Sequence, residues 1–119
     1  MPDQISWLPE PEEHNYPAAL SYLQLLYPPD RADALVQALR SAPAVSFKAK
    51  DIFRASGLSL LGVSNFHVEK DLRKIAAGKK LSPILLVRGQ GGLIIADGYH
   101  RLCAVYSVDE DALIPCRIV

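Results

Sequence analysis

Cysteine is scarce in this chain. Cys103 and Cys116 are its two thiols. They make no Cys-x-x-Cys pair, so no zinc-ribbon or dithiol redox motif of the usual spacing is present. A single disulfide between them stays open, yet two cysteines are too few to staple a secreted scaffold. Both are read as buried thiols, with the cytoplasm as the expected compartment. An excess of one charge is also missing: thirteen Lys and Arg balance thirteen Asp and Glu. Bulk attraction to nucleic acid is therefore weak and DNA is not an expected partner, although a local basic patch is allowed. Long apolar runs are missing too. Stretches such as Ile84-Leu85-Leu86-Val87 are far too short to span a bilayer, and no membrane partner is expected. Met1 to Glu13 is acidic and proline-rich, without the basic and apolar regions of a signal peptide. No internal repeat or low-complexity tract is visible.

What is present is an ordinary globular composition. Half the residues are hydrophobic and 22% are charged, over a length that suits one domain. Residues 1–15 hold Pro2, Pro9 and Pro11, which forbid a regular helix; they read as a partly ordered arm, with Trp7 and Leu8 as an anchor against the body. Residues 16–43 read as a helical hairpin. The first helix carries Tyr16, Ala19, Leu20, Leu23, Leu26 and Tyr27 on one face and ends at Pro28-Pro29. The second is capped by Asp30 and buries Ala32, Leu35, Val36 and Leu39. Residues 44–119 read as the main unit, compact with the hairpin. A strand at Ala44–Phe47 leads into a short helix, Asp51–Ser56, stopped by Gly57. The segment from Leu58 to Val63 fits a buried turn or a short strand. Ser64 or Asn65 caps a helix whose core face is Val68, Leu72, Ile75 and Ala76, and Gly78 ends it. Two strands, Ile84–Val87 and Leu93–Ala96, flank a Gln90-Gly91-Gly92 turn as a β-hairpin. The first of them is buried on both faces. A helix over Tyr99–Ser107 and a strand over Ile114–Val119 complete the chain, and Pro115 points to an edge position or a strand start.

One place joins a structural break to useful chemistry. The strand ending at Ala96 meets Asp97-Gly98, and a helix begins at once. The first turn of a helix leaves N–H groups unpaired and carries partial positive charge, so an anion docks there. Gly98 admits close backbone approach, Arg101 can fork onto phosphate oxygens, and His100 can add a hydrogen bond. Asp97 fits two roles, an N-cap for the helix or a ligand to a bridging Mg²⁺. A plain capped helix start accounts for the same residues without any ligand. On the preceding helix, His67, Lys70 and Lys74 share a face. That face is either a phosphate-facing stripe or a solvated surface with a Lys–Asp pair involving Asp71. Lys48, Lys50 and Arg54 read as ordinary surface. Cys103, among Leu102, Ala104 and Val105, reads as an inert thiol.

Taken in order, Leu81-Ser82-Pro83-Ile84-Leu85-Leu86-Val87-Arg88, the glycine hairpin, Leu93 through Ala104 and Leu113 through Val119 resemble the ParB N-terminal domain and sulfiredoxin, which share one fold. The resemblance covers Val45 to Val119. It implies an α+β, ParB/sulfiredoxin-like small mixed sheet with packed helices, to which the N-terminal helical pair is added. It also implies nucleotide phosphates at Gly98, Tyr99, His100 and Arg101, with Lys70 and Lys74 as equivalents of polar phosphate contacts on the preceding helix. The expected ligand is a nucleoside triphosphate or diphosphate, with or without Mg²⁺ on Asp97. Relatives in that superfamily include phosphoryl-transferring and nuclease members, and Asp97 is the base within the motif if turnover occurs. Tyr99 stands where sulfiredoxins carry their reactive cysteine, so sulfinic-acid reduction is not expected. The residues that ParB proteins use for operator binding have no counterpart in this stretch. Two other readings remain open: a non-catalytic interaction module, including a homodimer formed through the N-terminal helices, and a small nuclease or DNA-binding accessory.

Overall fold

The fold is organised around one four-residue run. In the computed structural model, which describes residues 5–62 and 64–119, Ile84 to Val87 are all buried. Successive strand side chains point to opposite faces. Ile84 and Leu86 enter one hydrophobic core, while Leu85 and Val87 enter a second. A strand that is apolar at every position therefore needs helices on both sides, and the chain supplies them.

The elements run β1 (Ser6–Trp7), α1 (Asn15–Leu23), α2 (Pro29–Ser41), β2 (Val45–Lys48), α3 (Ala49–Ser56), α4 (Phe66–Ala76), β3 (Lys80–Leu81), β4 (Ile84–Gly89), β5 (Gly92–Asp97), α5 (Tyr99–Val108) and β6 (Leu113–Ile118). The result is an α+β fold with mixed sheets. The main sheet has the order β2-β6-β4-β5; β6 runs parallel to β4, and the β2–β6 and β4–β5 pairs are antiparallel. Helices α3, α4 and α5 cover one face through Ile52, Val68, Ile75, Leu102 and Val105. Helices α1 and α2 cover the other through Tyr16, Ala19, Leu23, Ala32, Leu35, Val36 and Leu39. The helical hairpin is thus the second outer layer of the same sheet.

The arm is tied down as the Trp7–Leu8 anchor suggests. β1 pairs in parallel with β3, and Leu8 N–H donates to the Leu81 carbonyl at 2.8 Å. Glu12 N–H donates to Ser82 Oγ at 3.0 Å, and that hydroxyl donates to the buried Asn15. Arg40 pairs with Glu13 and lies over the Tyr16 ring.

Several expectations need correction. Pro28, not Asp30, is the N-cap of α2, with Pro29 in the first turn, where its missing N–H costs nothing. Helix α1 stops at Leu23, so Leu26 turns outward and is 49% exposed. Helix α3 begins at Ala49, two residues earlier than its pattern indicates. Leu58 to Gly62 form neither a buried turn nor a strand, for Leu58 and Leu60 are exposed. Pro2 and Val63 lie outside the described residues. Ala76 is exposed, and Asp71 takes an inward position on α4 instead. Pro115 sits in a central strand. Its neighbour pairing with β4 begins only at Cys116, so β6 is still an edge on that side where the proline falls.

The β5–α5 junction is the tightest point in the fold. Gly98 is the N-cap of α5 and has φ of 110°. A Cβ there would stand 2.0 Å from Ile84 Cγ2. The glycine thus serves the close crossing of α5 over β4. Gly98→Ala combines left-handed strain with overpacking and is expected to cost about 3 kcal/mol. Urea unfolding of the variant measures this. The penalty should shrink in an Ile84→Ala background, and a loss below about 1 kcal/mol would show that the junction yields.

Candidate anion site at the start of α5

Helix α4 and the β5–α5 junction, distant in sequence, meet around a polar cavity of about 190 Å³. Its α4 wall is His67, Lys70, Asp71 and Lys74; its other wall is Asp97, Gly98, Tyr99, His100 and Arg101. All seven residues singled out in the sequence, Lys70, Lys74 and Asp97 through Arg101, therefore line one space. His67 and Asp71 join them. Larger hollows exist elsewhere. One of about 500 Å³ has apolar walls that include Phe47, Ile52, Leu86, Leu93 and Ile118, with Asp51 and Arg88 as its charged residues. It lacks the converging polar groups that mark a site of chemistry.

The two helices begin differently. Asn65 caps α4, its Oδ1 accepting from His67 N–H at 3.0 Å and Val68 N–H at 3.2 Å. Helix α5 has no side-chain cap and no acidic residue in its first turn. Asp97 is not its N-cap. As the last residue of β5, Asp97 instead accepts from Arg101 Nη2 at 2.9 Å, with both side chains more than four-fifths buried. The same Nη2 lies 3.4 Å from the Pro83 carbonyl, and Arg101 Nε is buried without a partner. Arg101 is thus fixed in place by Asp97, and its positive charge is partly compensated there.

Other side chains also take roles the pattern does not announce. The Tyr99 hydroxyl donates to the Ser59 carbonyl, so it latches the 58–62 loop to α5 while its residue lines the cavity. Leu61 N–H reaches Cys103 Sγ at 3.5 Å from the same loop. Burial raises the Cys103 thiol above its ordinary range and pushes Cys116 up to about 12; both thiols are free and buried. The Asp71 carboxyl is also held above its ordinary range, because its desolvation outweighs the attraction of Arg101, Lys74, His100 and Lys70. At 9% exposure it belongs to the cavity floor and not to a solvated Lys–Asp surface. A polar residue breaking the Val68–Ile75 apolar stripe was the available signal for it. The His67 and His100 rings lie 4.8 Å apart between centroids.

Chemically, the cavity presents three permanently charged cations, Lys70, Lys74 and Arg101, against two carboxylates, one of them already paired. A histidine that can acquire charge and a helix start without a side-chain cap adjoin them. That set fits a phosphoryl or sulfate group better than a metal ion. Among the described residues no three His, Cys, Asp or Glu side chains gather as a metal site, and the Asp97 carboxylate is engaged by Arg101. No protein-family model, curated protein or solved structure matches this chain.

His100 supplies a direct readout. Its burial, reinforced by the neighbouring His67, holds it below the ordinary histidine value, about 6.5. As pH falls through that value, the unfolded chain takes up a proton before the folded one. Stability is therefore full above it and is lost as pH drops toward the folded value. His100→Gln should flatten this acid-side loss. Imidazole NMR titration should place His100 below a free histidine, and saturating sulfate, which does not titrate in this range, should raise it. An unmoved His100 would show that the anion does not reach this ring.

Proposed function

We propose that the protein is a phosphate- or nucleotide-binding domain of the ParB/sulfiredoxin-like kind, with the α4–α5 cavity holding the phosphoryl groups. The observation that carries this reading is the convergence of Lys70 and Lys74 with Gly98, His100 and Arg101 on one space. Lys70 and Lys74 offer mobile point charges, and Arg101 offers a fixed planar donor. The first-turn amides of α5 add directional donors for the same oxygens. A nucleoside diphosphate or triphosphate supplies the density of negative charge that such a cluster matches. The reading needs no metal, since the carboxylate first considered for Mg²⁺ is held by Arg101.

Extended to phosphoryl transfer or hydrolysis, this reading assigns the base to Asp71 in place of Asp97. Asp71 lies in the cavity without an ion-pair partner among the described residues, and desolvation raises its proton affinity. It would accept the proton of an attacking hydroxyl or water. A second reading, an interaction module, draws on Tyr22, Leu25 and Leu26, which are 44%, 81% and 49% exposed around the turn after α1.

Thermal unfolding with pyrophosphate, ADP, ATP, CTP and GTP, each with and without Mg²⁺, separates them. A ligand at a hundredfold excess over Kd stabilises by about 2.7 kcal/mol, several degrees for a domain of this size. The shift should vanish in Lys70→Ala/Lys74→Ala, whose side chains lie outside the packed core. Arg101→Ala should lose the shift and also some stability, because Asp97 is then left unpaired. No shift for any phosphate in the folded wild type would reduce the junction to a plain helix start. Function would then move to the surface around Leu25.

A further inference from the structure

Phe66 is the first residue of α4, directly after the Asn65 cap, and is 71% exposed. Its ring does not enter either core. It stands instead at one end of a row of rings: Phe66 to His67 at 5.5 Å, His67 to His100 at 4.8 Å, and His100 to Tyr99 at 5.7 Å. The middle of that row edges the anion cavity. Beside Phe66 a second hollow, of about 220 Å³, is lined by Phe66, Glu69, Lys70 and Arg73. Lys70 lines both hollows. A ligand with its phosphates among Lys70, Lys74 and Arg101 thus has its remaining part directed along α4 toward an exposed aromatic face.

We infer that this second hollow is a nucleobase subsite, with Phe66 as its stacking platform. The inference rests on the anion reading above and narrows it from phosphates in general to nucleotides. Every base has a flat π-face, so an exposed phenyl ring binds one without needing sequence-specific hydrogen bonds. Arg73 brings a guanidinium to the same hollow and can stack on the base from another side. Glu69, which pairs with Arg73, offers carboxylate oxygens to an exocyclic amino group such as those of adenine and cytosine. The separation of roles is clear: Lys74 and Arg101 meet phosphate alone, Phe66 meets base alone, and Lys70 stands between.

Calorimetric titration of the full chain with ADP, CDP and inorganic pyrophosphate tests this, using wild type, Phe66→Ala and Phe66→Tyr. Phe66 is exposed, so both variants should fold as the wild type does. Phe66→Ala should weaken ADP and CDP by about tenfold and leave pyrophosphate unchanged, while Phe66→Tyr keeps a ring and restores nucleotide binding. Base protons of bound ADP should move upfield through the ring current, and this displacement should be absent in Phe66→Ala. Equal losses for nucleotide and pyrophosphate, or no loss for either, overturn the base subsite while the anion site stands. Failure of pyrophosphate and both nucleotides to bind wild type overturns the anion site and the base subsite together.

Discussion

The contact between Gly98 and Ile84 fixes the place where the candidate site is built. Ile84 begins the strand on which both cores depend, and Gly98 begins the helix that crosses it. The absence of a Cβ at Gly98 lets α5 start in close contact with the sheet. Two further constraints hold the start of α5 in register. Arg101 reaches back to Asp97 and to the Pro83 carbonyl, bridging the strand end, the helix and the segment before β4. Leu102 N–H donates to the Gly98 carbonyl at 2.9 Å, closing the first turn. The first-turn backbone of α5 is thereby set against α4 without any side chain capping it.

On the proposed anion-binding reading, electrostatics at this junction is a compromise between folding and binding. A cavity containing lysines and an arginine alone would repel itself. Asp97 offsets Arg101 at short range, and Asp71 sits among the remaining cations. Both carboxylates lower the attraction for an anion, yet they make the empty cavity tolerable in a partly buried setting. His100 provides adjustable charge. Its desolvation favours the neutral form in the free protein, and an arriving anion would favour the charged one. Proton uptake would then accompany anion binding, and affinity would increase as pH falls.

Much of the architecture was legible because it follows strong periodicity. The Ala32-Leu35-Val36-Leu39 stripe, the doubly buried Ile84–Val87 strand and the glycine hairpin each have one physical solution. The α4 cap was narrowed by chemistry to Ser64 or Asn65, and Asn65 holds the position. The errors arose where tertiary context overrode local pattern. Pro115 suggested an edge position or a strand start, but a sheet whose β4–β6 pairing starts one residue later accommodates it centrally. Asp71 looked solvated by residue type, and only the approach of α5 turns that face inward. The two-residue strands β1 and β3 are too short to leave a period at all. At the site, the residues singled out by pattern line one cavity, but Asp97 pairs with Arg101 and does not cap α5. An i to i+4 pair with Arg101 competes with capping, and sequence spacing permits both. Phe66 carried no signal as a single exposed aromatic, since its ring row exists only once α4 and α5 are packed.

The central claim is that one cavity, shared by two distant segments, receives an anion. Amide NMR mapping of the isotope-labelled full chain during pyrophosphate titration examines it most directly. The amides of Tyr99, His100 and Arg101 and those around Lys70 and Lys74 should shift together and saturate with a single Kd. Shifts confined to other surfaces, such as the Leu25–Leu26 turn or the apolar hollow beside Phe47, or no saturable shift anywhere, would contradict it.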